Sequence, residues 1–220
     1  MENMLYFAVF GKEDGKLRKN CGCAYGGFGF AADGTLRMPY IPPEHSVILF
    51  DDRFVPLNAE IHHFCEMIKS QKIKTVIFDF EKPKNDVLCR LVLSVQTSEK
   101  FVPEQYAGIC SAGILVSPYT PKEPFAAYIR RMRAKHSCLL LDLRPIGCSV
   151  NGGKWTQSKT AENRCGRFSE ANQCLYQTRK NAAGTEIYFY DTQKTLLSRA
   201  SAAGVPCLLP LAEFERLPSE

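Results

Sequence analysis

The sequence predicts an α/β fold, a compact (β/α)8 TIM-like barrel with abbreviated helices and a β-hairpin insertion, on three observations. Short apolar runs recur along the chain, amphipathic helical patterns lie between several of them, and the runs number eight, which closes such a barrel. The runs 46–52 (SVILFDD), 75–81 (TVIFDFE), 112–118 (AGILVSP), 137–144 (SCLLLDLR), 186–191 (EIYFYD) and 205–213 (VPCLLPLAE) share one plan. Roughly four to six apolar residues lead, mostly, into polar or charged ones. Runs 4–10 (MLYFAVF) and 101–102 complete the eight. Continuous apolar strands belong to parallel sheets covered on both faces. One domain, 1–220, is expected; an open doubly wound sheet is the alternative that the same alternation allows.

From the N-terminus, 4–10 is the first strand. The connection 11–45 reads as a hairpin with Asp33-Gly34 as its turn. After strand 46–52, a helix over 58–72 places Ile61, Phe64, Cys65 and Ile68 on one stripe, with Asn58 as its N-cap. Strand 75–81 follows, then a helix over 84–96 with Val87, Leu88, Leu91, Val92 and Val95 inward. Between 103 and 113 there is little room for a helix. Strand 112–118 leads to a helix over 125–135 carrying Phe125, Tyr128, Ile129 and Met132, then strand 137–144. The polar segment 147–185 holds a second hairpin, with strands near 173–178 and 186–190 joined through 181–184. A helix over 192–203 uses Leu196, Leu197 and Ala200 and stops at Gly204. Strand 205–213 is the last.

Composition narrows the class. The 220 residues are 45% hydrophobic, enough for a sizeable core, but the usual barrel takes about 250, so some crossovers must be short. No apolar run approaches the roughly 18 residues that cross a membrane, and Met1-Glu2-Asn3 leads into a strand without the basic-then-apolar pattern of an export signal. The ten cysteines are scattered, several on core positions, which fits small hydrophobes in a reducing compartment. A cytoplasmic protein with no membrane partner is expected. Cys21-x-Cys23 is too closely spaced for a zinc ribbon, and Cys110, Cys148, Cys165 and Cys174 form no C-x2-C pair. No metal and no cofactor are expected. The charge of +5 comes from 28 basic against 23 acidic residues. Its main cluster, Arg130, Arg131, Arg133, Lys135 and His136, falls at a helix C-terminus, where cations suit the dipole, so no nucleic-acid partner is expected.

Barrel chemistry sits at the carboxyl ends of the strands. The residues expected to converge there are Asp51, Asp52 and Arg53; Asp79 and Glu81; Glu104, Gln105 and Tyr106; Tyr119; Asp142 and Arg144; Tyr190 and Asp191; and Glu213. Such a mouth suits a carbohydrate or another polar small molecule, whose hydroxyls need many acceptors. Trp155 and Tyr40 offer ring faces in the long loops, and Tyr40 is read as packing. Within this set, 75–83 (TVIFDFEKP) is the most informative stretch. In a strand, residues two apart share a face, so Asp79 and Glu81 project side by side. Two buried carboxylates that close do not both ionise freely: one stays protonated as a general acid while the other orients a substrate. Helix capping, or pairing with Lys72, Lys74 or Lys82, is the plainer reading.

The segment 76–83 resembles the fourth-strand signature of family-18 glycoside hydrolases, D-x-x-D-x-D-x-E followed by proline, with Asp79 and Glu81 at its last two acidic positions. The stretch Tyr188-Phe189-Tyr190-Asp191-Thr192, a helix and Gly204-Val205-Pro206 is similar to that family's closing pattern. Together they span about a fifth of the chain. The resemblance implies that Glu81 protonates the glycosidic oxygen and that Asp79 orients the substrate's N-acetyl group, which itself attacks the anomeric carbon. Lys74 and Ile77 occupy the first two acidic positions of the signature, and 207–213 lacks the family's tryptophan. In the strand count above this run is also the third.

Two functions are expected from this reading: hydrolysis of an N-acetylated glycan with Glu81 as the single general acid, or a catalytically inactive barrel that binds a carbohydrate or other polar metabolite. Metal-assisted hydrolysis through Asp51, Asp52, Asp79, Glu81 and Asp142 ranks below both, because no histidine lies at a strand end.

Overall fold

The computed structural model describes residues 5–10, 21–157, 166–182 and 184–219. The chain runs β1 (Leu5–Val9), β2 (Cys21–Phe30), β3 (Leu36–Arg37), β4 (Val47–Asp51), α1 (Ile61–Ser70), β5 (Thr75–Asp79), α2 (Asp86–Ser94) and β6 (Glu99–Pro103). After a 3-10 turn at Glu104–Tyr106 come β7 (Gly113–Val116), α3 (Phe125–Lys135), β8 (Leu139–Asp142), β9 (Gly147–Asn151), β10 (Lys154–Gln157) and β11 (Arg167–Ser169). The chain then forms β12 (Cys174–Asn181), β13 (Gly184–Tyr190), α4 (Gln193–Ala203), β14 (Cys207–Pro210) and α5 (Leu211–Glu215).

Strands β1, β2, β4, β5, β6, β7, β8 and β14 pair in parallel in that order, and β14 pairs with β1 to close the barrel. Alternation sorts each strand's side chains. One set fills the lumen in an apolar layer of Ala8, Ala24, Val47, Leu49, Ile77, Phe101, Leu115, Leu140 and Leu208. The other set, including Phe7, Phe28, Phe50, Phe78, Val102, Val116 and Leu141, packs outward in a second cluster with helix residues such as Phe64, Leu88, Met132 and Leu196. A barrel of this kind is a packed core and not a pore.

Two strand expectations are corrected. The run 186–191 is not a barrel strand: β13 lies in a five-stranded antiparallel sheet, ordered β10, β9, β13, β12, β11, inserted between the seventh and eighth barrel strands. The hairpin expected there is its β12–β13 pair, registered from Leu175↔Tyr190 to Asn181↔Gly184. The missing barrel strand is β2, inside the connection read as a hairpin alone. That hairpin exists at its far end, where β3 pairs antiparallel with Gly29 and Phe30 of β2. Its turn places Gly34 at φ +94°, and Thr35 donates twice to Asp33 Oδ1. With β2 counted, β5 is the fourth barrel strand. The parts of the expectations that fall on residues 4, 11–20, 158–165, with Cys165, and 183 lie outside the described residues.

The helices follow their patterns with trimmed ends. Asn85 caps α2, its side chain accepting from the Leu88 amide at 3.0 Å, and Thr192 and Thr195 form a capping box on α4. Gly204 stops α4 in the left-handed region at φ +59°. Asn58 does not cap α1, whose N-cap is Glu60; its amide nitrogen instead donates to the Asp33 carbonyl. The last strand ends at Pro210, and Leu211–Glu215 is helical rather than extended. Among the described residues no helix is long and apolar enough to cross a membrane.

Candidate active site

At the carboxyl end of β5 the lumen-facing parity of Ile77 continues through Asp79 and Glu81, while Val76, Phe78 and Phe80 join the outer cluster. Asp79 and Glu81 line a cavity of about 260 Å³ together with Pro103, Ser117, Asp142 and Arg144. Burial pushes the Asp79 carboxyl above its ordinary value; Arg144 pulls it down, and Glu81, Asp51 and Asp52 push it up again. Glu81 is exposed at the rim.

Asp142, from β8, is 7% exposed, and its carboxyl is pushed up to about 6. Burial is the main cause; Arg144 offsets it, while Asp79 and Glu213 add to it. The Arg144 Nε donates to both Asp142 oxygens, at 3.3 and 3.1 Å. Burial lowers the Arg144 pKa, but Asp142, Asp79 and Glu213 outweigh that and raise it. Asp142, Asp79 and Glu213 therefore all act on the Arg144 guanidinium, and Glu81 lines the same cavity.

Asp51 stands beside Asp79 in the β4–β5 ladder and is already engaged. Arg37 Nη2 lies 2.5 Å from its Oδ2, and the Arg53 amide donates to its Oδ1 at 3.0 Å. Asp52 is buried and accepts from the amides of Glu81 at 3.1 Å and Lys82 at 2.7 Å. It thereby fixes the turn on which Glu81 leaves β5. The exposed Arg53 receives Lys82 Nζ on its carbonyl.

The remaining expected residues lie elsewhere. Glu104 is in ion-pair range of Lys135 and His136, and Lys135 is the main cause holding its carboxyl below the usual range. Gln105 donates to the Lys82 carbonyl. Tyr106 is buried against Phe80 with ring centroids 5.3 Å apart, and burial pushes its hydroxyl up to about 12. The Tyr119 hydroxyl donates to the Glu123 carbonyl and lies 2.9 Å from Asn172 Oδ1, tying the β7 loop to the inserted sheet. Tyr190 is buried at the end of β13, and Asp191 is in a buried ion pair with Arg199. Tyr40 packs edge-on against Tyr25 and Phe28, and Trp155 stacks on Phe189.

Three contributors were not anticipated from the sequence. Arg37 comes from a two-residue strand without an apolar pattern, and Arg199 from the inner side of a helix whose apolar stripe is weak. Phe10 continues the lumen-facing parity of β1 and is 65% exposed; its ring fills the space a Cβ on Gly26 would take. Among the described residues no three or more His, Cys, Asp or Glu are grouped to hold a metal ion. A larger groove of about 590 Å³ lies at the opposite end of the barrel, lined by Glu99, Phe101, Gly113 and Cys138 among others. It lacks a carboxylate pair, so the chemistry is assigned to the smaller cavity.

These features define the class: a closed parallel (β/α)8 barrel with an acidic mouth at the carboxyl ends of its strands. Solved structures with the same fold include the spore cortex-lytic enzyme SleL of Bacillus cereus, 9% identical, with a TM-score of 0.56 over 98% of this chain and 72% of that one. SleL of Bacillus megaterium QM B1551 is 8% identical, with a TM-score of 0.52 over 94% and 70%. A chitinase from Chromobacterium violaceum ATCC 12472 is 12% identical, with a TM-score of 0.50 over 96% and 94%. At these identities the likeness is one of fold. No family model matches the chain, and no curated protein matches it in sequence.

Proposed function

We propose that this protein is a glycoside hydrolase acting on an N-acetylated glycan, with Glu81 as the general acid and Asp79 as its partner. The observation that carries the reading is that both carboxylates project from the end of the fourth barrel strand into one cavity, the strand on which the family-18 signature falls. The names of the structural neighbours, a cortex-lytic enzyme and a chitinase, support the substrate class. In this reading Glu81 gives its proton to the glycosidic oxygen as the bond to the anomeric carbon breaks. The acetamide oxygen, oriented through Asp79, closes on that carbon, and water then restores the sugar with retained configuration. A cytoplasmic location fits cysteines that serve as small buried residues, as Cys174 and Cys207 do.

A second reading, a barrel that binds the glycan without cleaving it, is favoured by Ile77, which lies fully buried in the apolar layer where the signature carries an acid. The test is fluorophore release from N-acetylglucosamine oligosaccharide glycosides between about pH 4 and 8, a range that brackets a raised carboxyl pKa. Wild type is expected to release and Glu81→Gln to lose at least about 100-fold in kcat while still binding the oligosaccharide. Binding by both without release by either selects the second reading.

A further inference from the structure

We infer that Arg199 is a positioning residue for the candidate site, acting through Arg144 from the interior of the protein. The inference rests on the mouth described above being the active site.

Arg199, on α4, and Asp191, at the end of β13, are fully buried. Arg199 Nη1 donates to Asp191 Oδ1 at 2.9 Å and Nη2 to Oδ2 at 2.7 Å. Nη2 also donates to the Arg144 carbonyl at 3.0 Å, and Asp191 Oδ2 accepts the Ile146 amide at 2.7 Å. Thr195 adds a hydrogen bond to Asp191 Oδ1. Just upstream, the Leu143 amide donates to Leu208. The segment 143–146 is therefore held at three points, the Leu143 amide, the Arg144 carbonyl and the Ile146 amide, of which the one on Arg144 is the middle. Its side chain points the other way, to Asp142 and the cavity.

Stability alone does not account for this arrangement. A buried ion pair often contributes no more than the apolar residues that could replace it, and Arg199 Nε is buried without a hydrogen-bond partner, a further cost. What the pair supplies is geometry. A planar guanidinium can grip a carboxylate with two nitrogens and still present a proton to a carbonyl, whereas an ammonium on a flexible stem cannot hold all three acceptors in one plane. Fixing the Arg144 main chain fixes where its charge falls among Asp142, Asp79 and Glu213, the charged groups that face it. Tyr128 is the further titratable group within electrostatic reach of Asp142.

Two variants test this, Arg199→Lys and the double replacement Asp191→Leu with Arg199→Met, the second chosen because an apolar pair can preserve folding. The first readout is the carboxyl titration of Asp142 by ¹³C NMR, which needs no substrate; the second is kcat, KM and the pH profile on any glycan that wild type cleaves. Both variants are expected to move the Asp142 midpoint upward from about 6, because the guanidinium that holds it down loses its place. On an Arg144→Met background Arg199→Lys should move the midpoint no further, since Arg199 acts only through Arg144. The kcat is expected to fall about 100-fold with KM little changed, as misplacement of a reacting group does. A folded variant with an unchanged Asp142 titration overturns the inference, and unfolding of both variants overturns it by assigning the pair to stability. If the titration moves but wild type cleaves no glycan, the proposed activity fails and the positioning role stands.

Discussion

Asp142 sets solvation against chemistry at a single carboxyl. Its folded pKa lies near 6, above the ordinary 3.8, so the native state holds the proton more tightly than the unfolded chain does. That contribution to stability is fully present below the unfolded pKa and is lost as pH rises through the folded one. Asp142→Asn is therefore expected to stabilise the protein at pH 8 by about 1 to 3 kcal/mol, net of the ion pair it removes, with the gain vanishing below about pH 4. Urea denaturation at the two pH values measures it, and an equal effect at both would mean that solvation of Asp142 is not the cause. The same substitution is expected to lower activity, the usual trade of a strained site against stability. Asp79, raised in the same direction, adds to the slope.

The elements show why some of the fold was legible in the sequence and some was not. Runs such as TVIFDFE and SCLLLDLR are apolar on both faces because lumen and helices cover them, and they were read correctly. β2 was hidden because its lumen face is built from glycine and alanine. Ideal Cβ atoms on Gly22 and Gly26 would lie 2.7 and 2.5 Å from the rings of Tyr6 and Phe10, so β1 supplies the bulk and β2 the space. Small residues dilute the apolar signal that marks a strand. β13 misled for the opposite reason: EIYFYD has strand chemistry, but the partners that decide between barrel and inserted sheet are distant in sequence. At the mouth, Asp79, Glu81, Asp142 and Arg144 were legible because strand ends announce themselves; Glu213 falls on α5 rather than on the strand expected there, and Arg37 and Arg199 depend on tertiary placement. Capping was less legible: Asn58 fits the pattern of a cap but does not serve as one, whereas Asn85, not singled out from the sequence, does. Asn85→Ala should cost about 1 kcal/mol and lower the melting temperature while leaving the proposed glycan binding unchanged, since α2 does not line the cavity.

For the whole molecule, closure matters most. β1 hydrogen-bonds to β2 on one side and β14 on the other, so the barrel has no free edge, whereas the inserted sheet ends in β10 and β11. Opening any barrel strand exposes two rows of unpaired amides and the apolar layer behind them, a cost close to that of global unfolding. Hydrogen exchange should accordingly group β1, β4, β5, β8 and β14 at one high free energy, with β10 exchanging through local openings. Independent, easier exchange of β14 would show that the seam is weak and the barrel only loosely shut. The apolar layer from Ala8 to Leu208 also gives the mouth a sealed floor. Hydrocarbon offers no relay for a proton, so Asp79 and Asp142 cannot be recharged from the Glu99 side of the barrel. Whatever protons the site spends must come and go through the same doorway as its ligand, and an occupant that fills that doorway locks in the protonation state present when it arrived.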